Sequence, residues 1–145
     1  MIQDHKTMIR QVFEEIWNRS DFSLIDQFYA PEYVAHVAGS PKDIEGPEQF
    51  KQFVALHGVM TSELHFSVDD LIAEDDRVAT RWTAMSTTAS GLIAGGSDGQ
   101  TVTVTGISIH HFAAGKIVES WDNWDALTLY QSLGSDIFER VSLGI

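Results

Sequence analysis

The stretch Ile117–Gly134, "IVESWDNWDALTLYQSLG", begins with the two-residue period of a strand and ends with the period of a helix. Ile117 to about Asn123 reads as a final strand, and Leu127, Tyr130 and Leu133 recur at helical intervals. At the junction stand Trp121, Asp122, Trp124 and Asp125. On a strand, Trp121, Asn123 and Asp125 share one face, and Asp122 and Trp124 share the other. Asp125 comes immediately before the apolar helical run. It is therefore either the helix N-cap, a common role for aspartate, or a carboxylate that aromatic walls desolvate into a general base. Periodicity does not separate the two.

Upstream, "AAGK" (Ala113–Lys116) turns the chain into that strand from "QTVTVTGISIHHF" (Gln100–Phe112). Apolar parity changes within the latter, because Val102 and Val104 are even and Ile107 and Ile109 odd. Gly106 at the change predicts a β-bulge that keeps one face apolar and bends the sheet. On that register His111 joins Ile107 and Ile109 on the inner face, and His110 points outward with Ser108. The glycine-rich "SGLIAGGSDG" (Ser90–Gly99) reads as a flexible hairpin connection near a cavity mouth. Further back, Val78, Thr80, Trp82 and Ala84 define one strand and Leu64, Phe66 and Val68 another, joined by a turn at Glu74–Asp76.

The first half is helical. Ile9, Val12, Phe13, Ile16 and Trp17 line one face of a helix across roughly the first eighteen residues. Phe22, Ile25, Phe28 and Tyr29 mark a short second helix that Pro31 ends. "EYVAHV" (Glu32–Val37) is a short extended piece. Pro47, Phe50, Phe53, Val54 and His57 mark a third helix closed by Gly58. Helices followed by consecutive strands predict a single α+β domain over residues 1–145, its helices covering one face of a curved antiparallel sheet. Such a cone can hold a ligand.

Composition narrows the function. The chain has 145 residues, 43% of them hydrophobic, and a net charge of −12 from 9 Lys and Arg against 21 Asp and Glu. That acidity argues against nucleic acid and anionic membranes as partners. The absence of cysteine excludes disulfides, thiolate metal sites and cysteine nucleophiles. No HExxH pair or GxxxxGK[ST] phosphate loop occurs, and no metal site is expected. The first residues lack the apolar core of a signal peptide, and a cytoplasmic protein is the expectation. His36 and His111 are candidate polar groups on an apolar face. Trp17, Phe50, Phe53, Trp82 and Trp121 are candidate cavity walls.

The segments "FEEIWNRSDFSLIDQFYAPEYVAH", "GPEQFKQFV", "DLIAEDDRVATRWT", "TVTVTGISIHHFAAGKIVESW" and "DALTLYQSLG" together resemble the SnoaL-like polyketide cyclases of the nuclear-transport-factor-2-like (NTF2-like) superfamily. The ordered match runs from Phe13 to Gly134. It implies an NTF2-like α+β cone of three helices on a curved antiparallel sheet, with a short C-terminal helix. It implies that Asp125, in the WxxxDxL pattern of Trp121, Asp125 and Leu127, is the acid/base of an intramolecular aldol closure or related isomerisation on an apolar carbonyl compound. It implies pocket roles for His111 and for His36 in "APEYVAH", no cofactor, and a homodimer. One departure is "STTASG" (Ser86–Gly91), where many relatives carry a threonine-histidine pair. Epoxide-hydrolase-like members use an Asp–Arg–Asp trio, which an outward Arg81 would not supply. Two alternatives are a non-catalytic binding module, with Asp125 only a cap, and a dimerising scaffold using a sheet face with Val102, Val104 or Phe112.

Overall fold

The computed structural model of the chain describes residues 2–88 and 101–133. Helix α1 (Ile2–Gln11) continues without a break into a π-helical turn, Val12–Trp17, and a short α2 (Ser23–Phe28) follows. Strands β1 (Tyr29–Val37) and β2 (Ile44–Glu45) precede α3 (Gly46–Met60). The long strands β3 (Thr61–Glu74), β4 (Arg77–Thr88), β5 (Thr101–Ala113) and β6 (Lys116–Trp124) come next, and α4 (Ala126–Leu133) ends the described chain. The Ser90–Gly99 connection expected near a cavity mouth lies outside the described residues.

The strands form one six-stranded sheet in the order β2–β1–β6–β5–β4–β3. Its pairings are antiparallel except that β1 runs parallel to β6, with His36 opposite Trp121. The expected all-antiparallel sheet is thereby corrected. Pairing between the first and last strands is a long-range event, which local periodicity does not report. The α+β architecture and curved sheet otherwise agree with the expectation.

The core sits between the helices and the concave sheet face. Ile9, Val12, Phe13 and Ile16 pack there with Ile25, Tyr29, Tyr33, Phe50, Val54, Val78, Trp82 and Phe112. The π turn ends at Asn18, whose backbone N–H donates to the Phe13 carbonyl at 3.0 Å. The Asn18 side chain then imitates a strand partner for the edge strand β3. Its amide donates to the Phe66 carbonyl (3.0 Å) and its oxygen accepts from the Phe66 N–H (2.8 Å). This clamp holds Trp17 against Phe66, ring centres 4.9 Å apart.

The bulge expected at Gly106 is absent. The β4–β5 register is unbroken from Arg77–His111 to Thr87–Thr101. Gly106 lies opposite Trp82, and a Cβ there would overlap the indole. The glycine makes room for a ring; it does not bend the strand. A parity change of the kind expected there occurs instead in β3, where an extra residue, Asp69, intervenes after Val68. Leu64, Phe66 and Val68 and then Leu71 and Ala73 thus all face the core.

With no shift at Gly106, even positions of β5 point inward throughout. Val102, Ser108, His110 and Phe112 are buried, while Ile107 and Ile109 are exposed. The expected assignment of His111, Ile107 and Ile109 to the inner face is therefore reversed. The outer-face roles considered for Val102, Val104 and Phe112 fall for the same reason. The hairpin to β6 turns on Ala114 and Gly115, both at positive φ (52° and 78°), as a tight two-residue turn requires. Among the described residues no helix is long and apolar enough to cross a membrane.

Candidate active site

Inside the cone is a cavity of about 160 Å³. For scale, a cavity of about 150 Å³ accepts one benzene ring. Aromatic side chains from three directions make its walls. Trp17 meets Phe50 and Phe53 edge-on, with ring centres 6.2 and 5.9 Å apart. Phe66 meets Trp82 in the same way at 5.2 Å. These rings exclude water and leave the polar work to the few hydrophilic groups on the sheet.

Those groups come from inward positions of β1, β4, β5 and β6: Tyr29, Tyr33, Ser86, Ser108, His110, Ser120 and Asp122 all line the cavity. The Trp82 indole N–H donates to the Ser108 hydroxyl at 2.9 Å. Ser108 in turn donates to the Asp122 carboxylate, a residue that the register places directly opposite it. Tyr33 and Ser120 share a buried hydrogen bond of 2.5 Å between their hydroxyls. Burial pushes the Asp122 carboxyl up to about 6, against the lowering effect of Ser108. Burial also pushes the His110 imidazole down to about 4. Tyr29 and Tyr33 are raised by burial and stay protonated.

Of the walls expected from the sequence, Trp17, Phe50, Phe53 and Trp82 line the cavity. Trp121 does not. It lies on the outer sheet face, stacked 5.6 Å from the His36 ring and with the Arg77 guanidinium 5.7 Å from its centre. Asp125 is exposed and caps α4. Its Oδ1 accepts from the Thr128 backbone N–H (3.1 Å) and its Oδ2 from the Thr128 hydroxyl (2.5 Å). These two bonds, the hydroxyl's first, hold its carboxyl below the ordinary range. The placement of Asp125 in a desolvated hollow is corrected: its backbone N–H still bonds the Thr105 carbonyl of β5, and its odd position lies on the face opposite to Asp122 and Trp124, which line the cavity.

The two candidate histidines are also outside the cavity. His111 Nε2 meets Asp76 at 3.0 Å. His36 contacts Glu119 at 2.6 Å and Asp43 at 3.1 Å, and the bond to Glu119 chiefly raises its pKa. Both follow from the even inward parity of β5 and from the β1–β6 pairing, which set these rings among surface carboxylates. Among the described residues no group of three or more His, Asp and Glu side chains is arranged to hold a metal ion.

A model of SnoaL-like polyketide cyclases matches residues 7–133. The chain belongs to the SnoaL-like polyketide cyclase family. Solved structures agree in fold. A protein from Jannaschia sp. CCS1 classed as a SnoaL-like polyketide cyclase superposes with a TM-score of 0.80 at 18% identity, over 90% of this chain and 92% of that one. IdmH from Streptomyces antibioticus, classed as a polyketide cyclase, gives 0.78 at 24% identity, over 92% and 99%. AclR from Streptomyces galilaeus, classed as a hydroxylase, gives 0.78 at 26%, over 92% and 98%. A search of the curated proteins finds no match.

In this SnoaL-like chain the sequence reading missed Asp122, Ser108 and His110 as site residues. A signal for them existed. Asp122 shares strand parity with Trp124, and both line the cavity. Even parity also runs unbroken from Val102 through Gly106 to Phe112 once the glycine is read as clearance for a ring. The exposed isoleucines at 107 and 109 masked it.

Proposed function

We propose that the cavity carries out acid/base chemistry on a mostly apolar carbonyl compound, most concretely an intramolecular aldol closure or a related isomerisation, with Asp122 as the acid/base group. One observation carries this reading: a carboxyl group on an aromatic-walled cavity, its pKa pushed up to about 6 by burial. Such a group is mostly ionised at neutral pH yet basic enough to take a proton from carbon. Asp122 removes a proton flanked by carbonyl groups and leaves an enolate. The enolate carbon attacks a second carbonyl of the same molecule, and the protonated carboxyl returns its proton to the oxygen that becomes a hydroxyl. Positioned proton transfer of this kind contributes ~10²–10⁴-fold. No cofactor enters these steps.

Family membership supports the reaction class. The fold alone does not choose it, since a structure as similar as AclR is classed as a hydroxylase. The test is deuterium exchange at the α-carbons of 2-indanone, a small apolar ketone, followed by NMR in D₂O. The protein accelerates exchange, and Asp122→Asn brings the rate towards that of buffer. Exchange at the wild-type rate by Asp122→Asn would overturn the assignment.

The outer sheet face supports a second copy of the chain as partner. Ile72, Ala79, Ile109 and Trp121 form one cross-strand row, and Ile107 flanks it. Ile72, Ile107 and Ile109 are 63%, 53% and 39% exposed. A two-fold pairing of this face with itself buries the row.

A further inference from the structure

The geometry points to His110 as a second catalytic residue of the cavity: its unpartnered imidazole donates a hydrogen bond to the substrate carbonyl oxygen while Asp122 takes a proton from the neighbouring carbon. This deepens the proposed function and rests on it.

His110 is 5% exposed and lines the cavity from β5. Its Nδ1 is enclosed and meets no hydrogen-bond partner among the described residues. A buried N–H without an acceptor is rare in folded proteins, whereas an unpaired lone pair is better tolerated. On this reading the ring proton sits on Nε2, the nitrogen that is not enclosed, and that edge of the imidazole is the donor. Burial keeps the ring neutral at physiological pH. A neutral imidazole stabilises a developing enolate oxygen without holding a charge of its own.

Several hydroxyls of the floor are engaged with one another, while those of Tyr29 and Ser86 also line the cavity. Ser108 donates to Asp122 and accepts from Trp82, and Tyr33 and Ser120 hold each other. His110 differs from the hydroxyls in lying diagonal to the base on the same sheet face, with a ring nitrogen that meets no protein partner among the described residues. The sheet also sets its distance from the base. His110 pairs with Ser120 and Ser108 with Asp122, so His110 and Asp122 are diagonal neighbours on one face. Such neighbours are about 7–8 Å apart. That residue spacing is on the scale of a C–C=O unit with a hydrogen-bond reach of about 3 Å at each end. The substrate class that follows is a ketone or 1,3-dicarbonyl, its oxygen on His110 and its acidic C–H towards Asp122.

The experiment separates donor from base. ¹³C-carbonyl 2-indanone is bound to Asp122→Asn, which cannot enolise it, and the carbonyl stretch is read by difference infrared spectroscopy. The stretch falls relative to the same ketone on Asp122→Asn/His110→Phe. His110→Gln, which keeps an N–H donor, restores part of the fall. With Asp122 intact, His110→Phe slows deuterium exchange by about 10²–10³-fold and His110→Gln by less. Equal carbonyl frequencies with and without His110 overturn the inference even if exchange by the wild-type protein stands. A lowered frequency together with wild-type exchange by Asp122→Asn overturns the base and leaves the donor.

Discussion

Ser108 and Asp122 face each other across β5 and β6, and the serine hydroxyl donates to the aspartate carboxylate. The same hydroxyl accepts the indole N–H of Trp82. A carboxyl group in an apolar cavity is thereby anchored to a ring of the cavity wall through one oxygen. Its basicity is set by two opposed effects, burial raising it and the hydroxyl lowering it.

Removing the hydroxyl should show the second effect directly. Exchange activity of the wild-type protein should rise with pH through about 6, as Asp122 loses its proton. Ser108→Ala removes the bond that favours the carboxylate, so the midpoint of the rate–pH profile should move upward. A profile unchanged by Ser108→Ala would show that the hydroxyl does not tune the base.

Asp122 should cost stability while it supports catalysis. Its pKa is raised from 3.8 to about 6 on folding, so the folded state favours the neutral acid. The sign follows: stability from this group is present below about pH 4 and is lost as pH rises through 6. At about 1.4 kcal/mol per tenfold change in proton affinity, the loss at pH 8 is about 3 kcal/mol. Asp122→Asn, permanently neutral, should be more stable than wild type at pH 8, with the advantage shrinking towards zero near pH 4. Urea denaturation at both pH values measures it.

Asp125→Ala should do the opposite. It removes both bonds to Thr128, loosening the start of α4 and lowering thermal stability. Deuterium exchange of 2-indanone should keep its wild-type rate. A large loss of exchange with Asp125→Ala would return the base to the position first expected.

Gly106→Ala tests the close approach of strand and ring. The added methyl group would overlap the Trp82 indole, whose N–H is bonded to Ser108, so the ring has to shift. Overpacking of this kind costs about 1–3 kcal/mol. A lower urea midpoint together with an altered tryptophan emission spectrum is the expected result.

Ile109→Lys tests the outer face. Ile109 is central to the cross-strand row with Ile72 and Trp121, and its side chain contributes nothing to the cavity lining. Light scattering after gel filtration should give a dimer mass for the wild type and a monomer mass for the variant. A wild-type monomer would remove this face as a self-association surface.

The sequence by itself determined the cone and most of its walls. Helical spacing, the proline and glycine punctuation, and the alternation in β3 and β4 are local, and they brought Trp17, Phe50, Phe53 and Trp82 to one interior. What only the tertiary structure decided is which carboxylate and which histidine enter it. Asp122 or Asp125, and His110 or His111, are neighbours on opposite faces of the same strands, so a one-residue difference in parity exchanges one for the other. That parity depended on whether Gly106 bends β5 or clears space for Trp82, and the indole comes from the adjacent strand, 24 positions earlier in the chain. The parallel pairing of β1 with β6, which turned His36 and Trp121 to the outside, is likewise a contact between distant segments. Local pattern specifies which residues alternate; only the packing of one strand's side chains on another specifies which half of the alternation faces in.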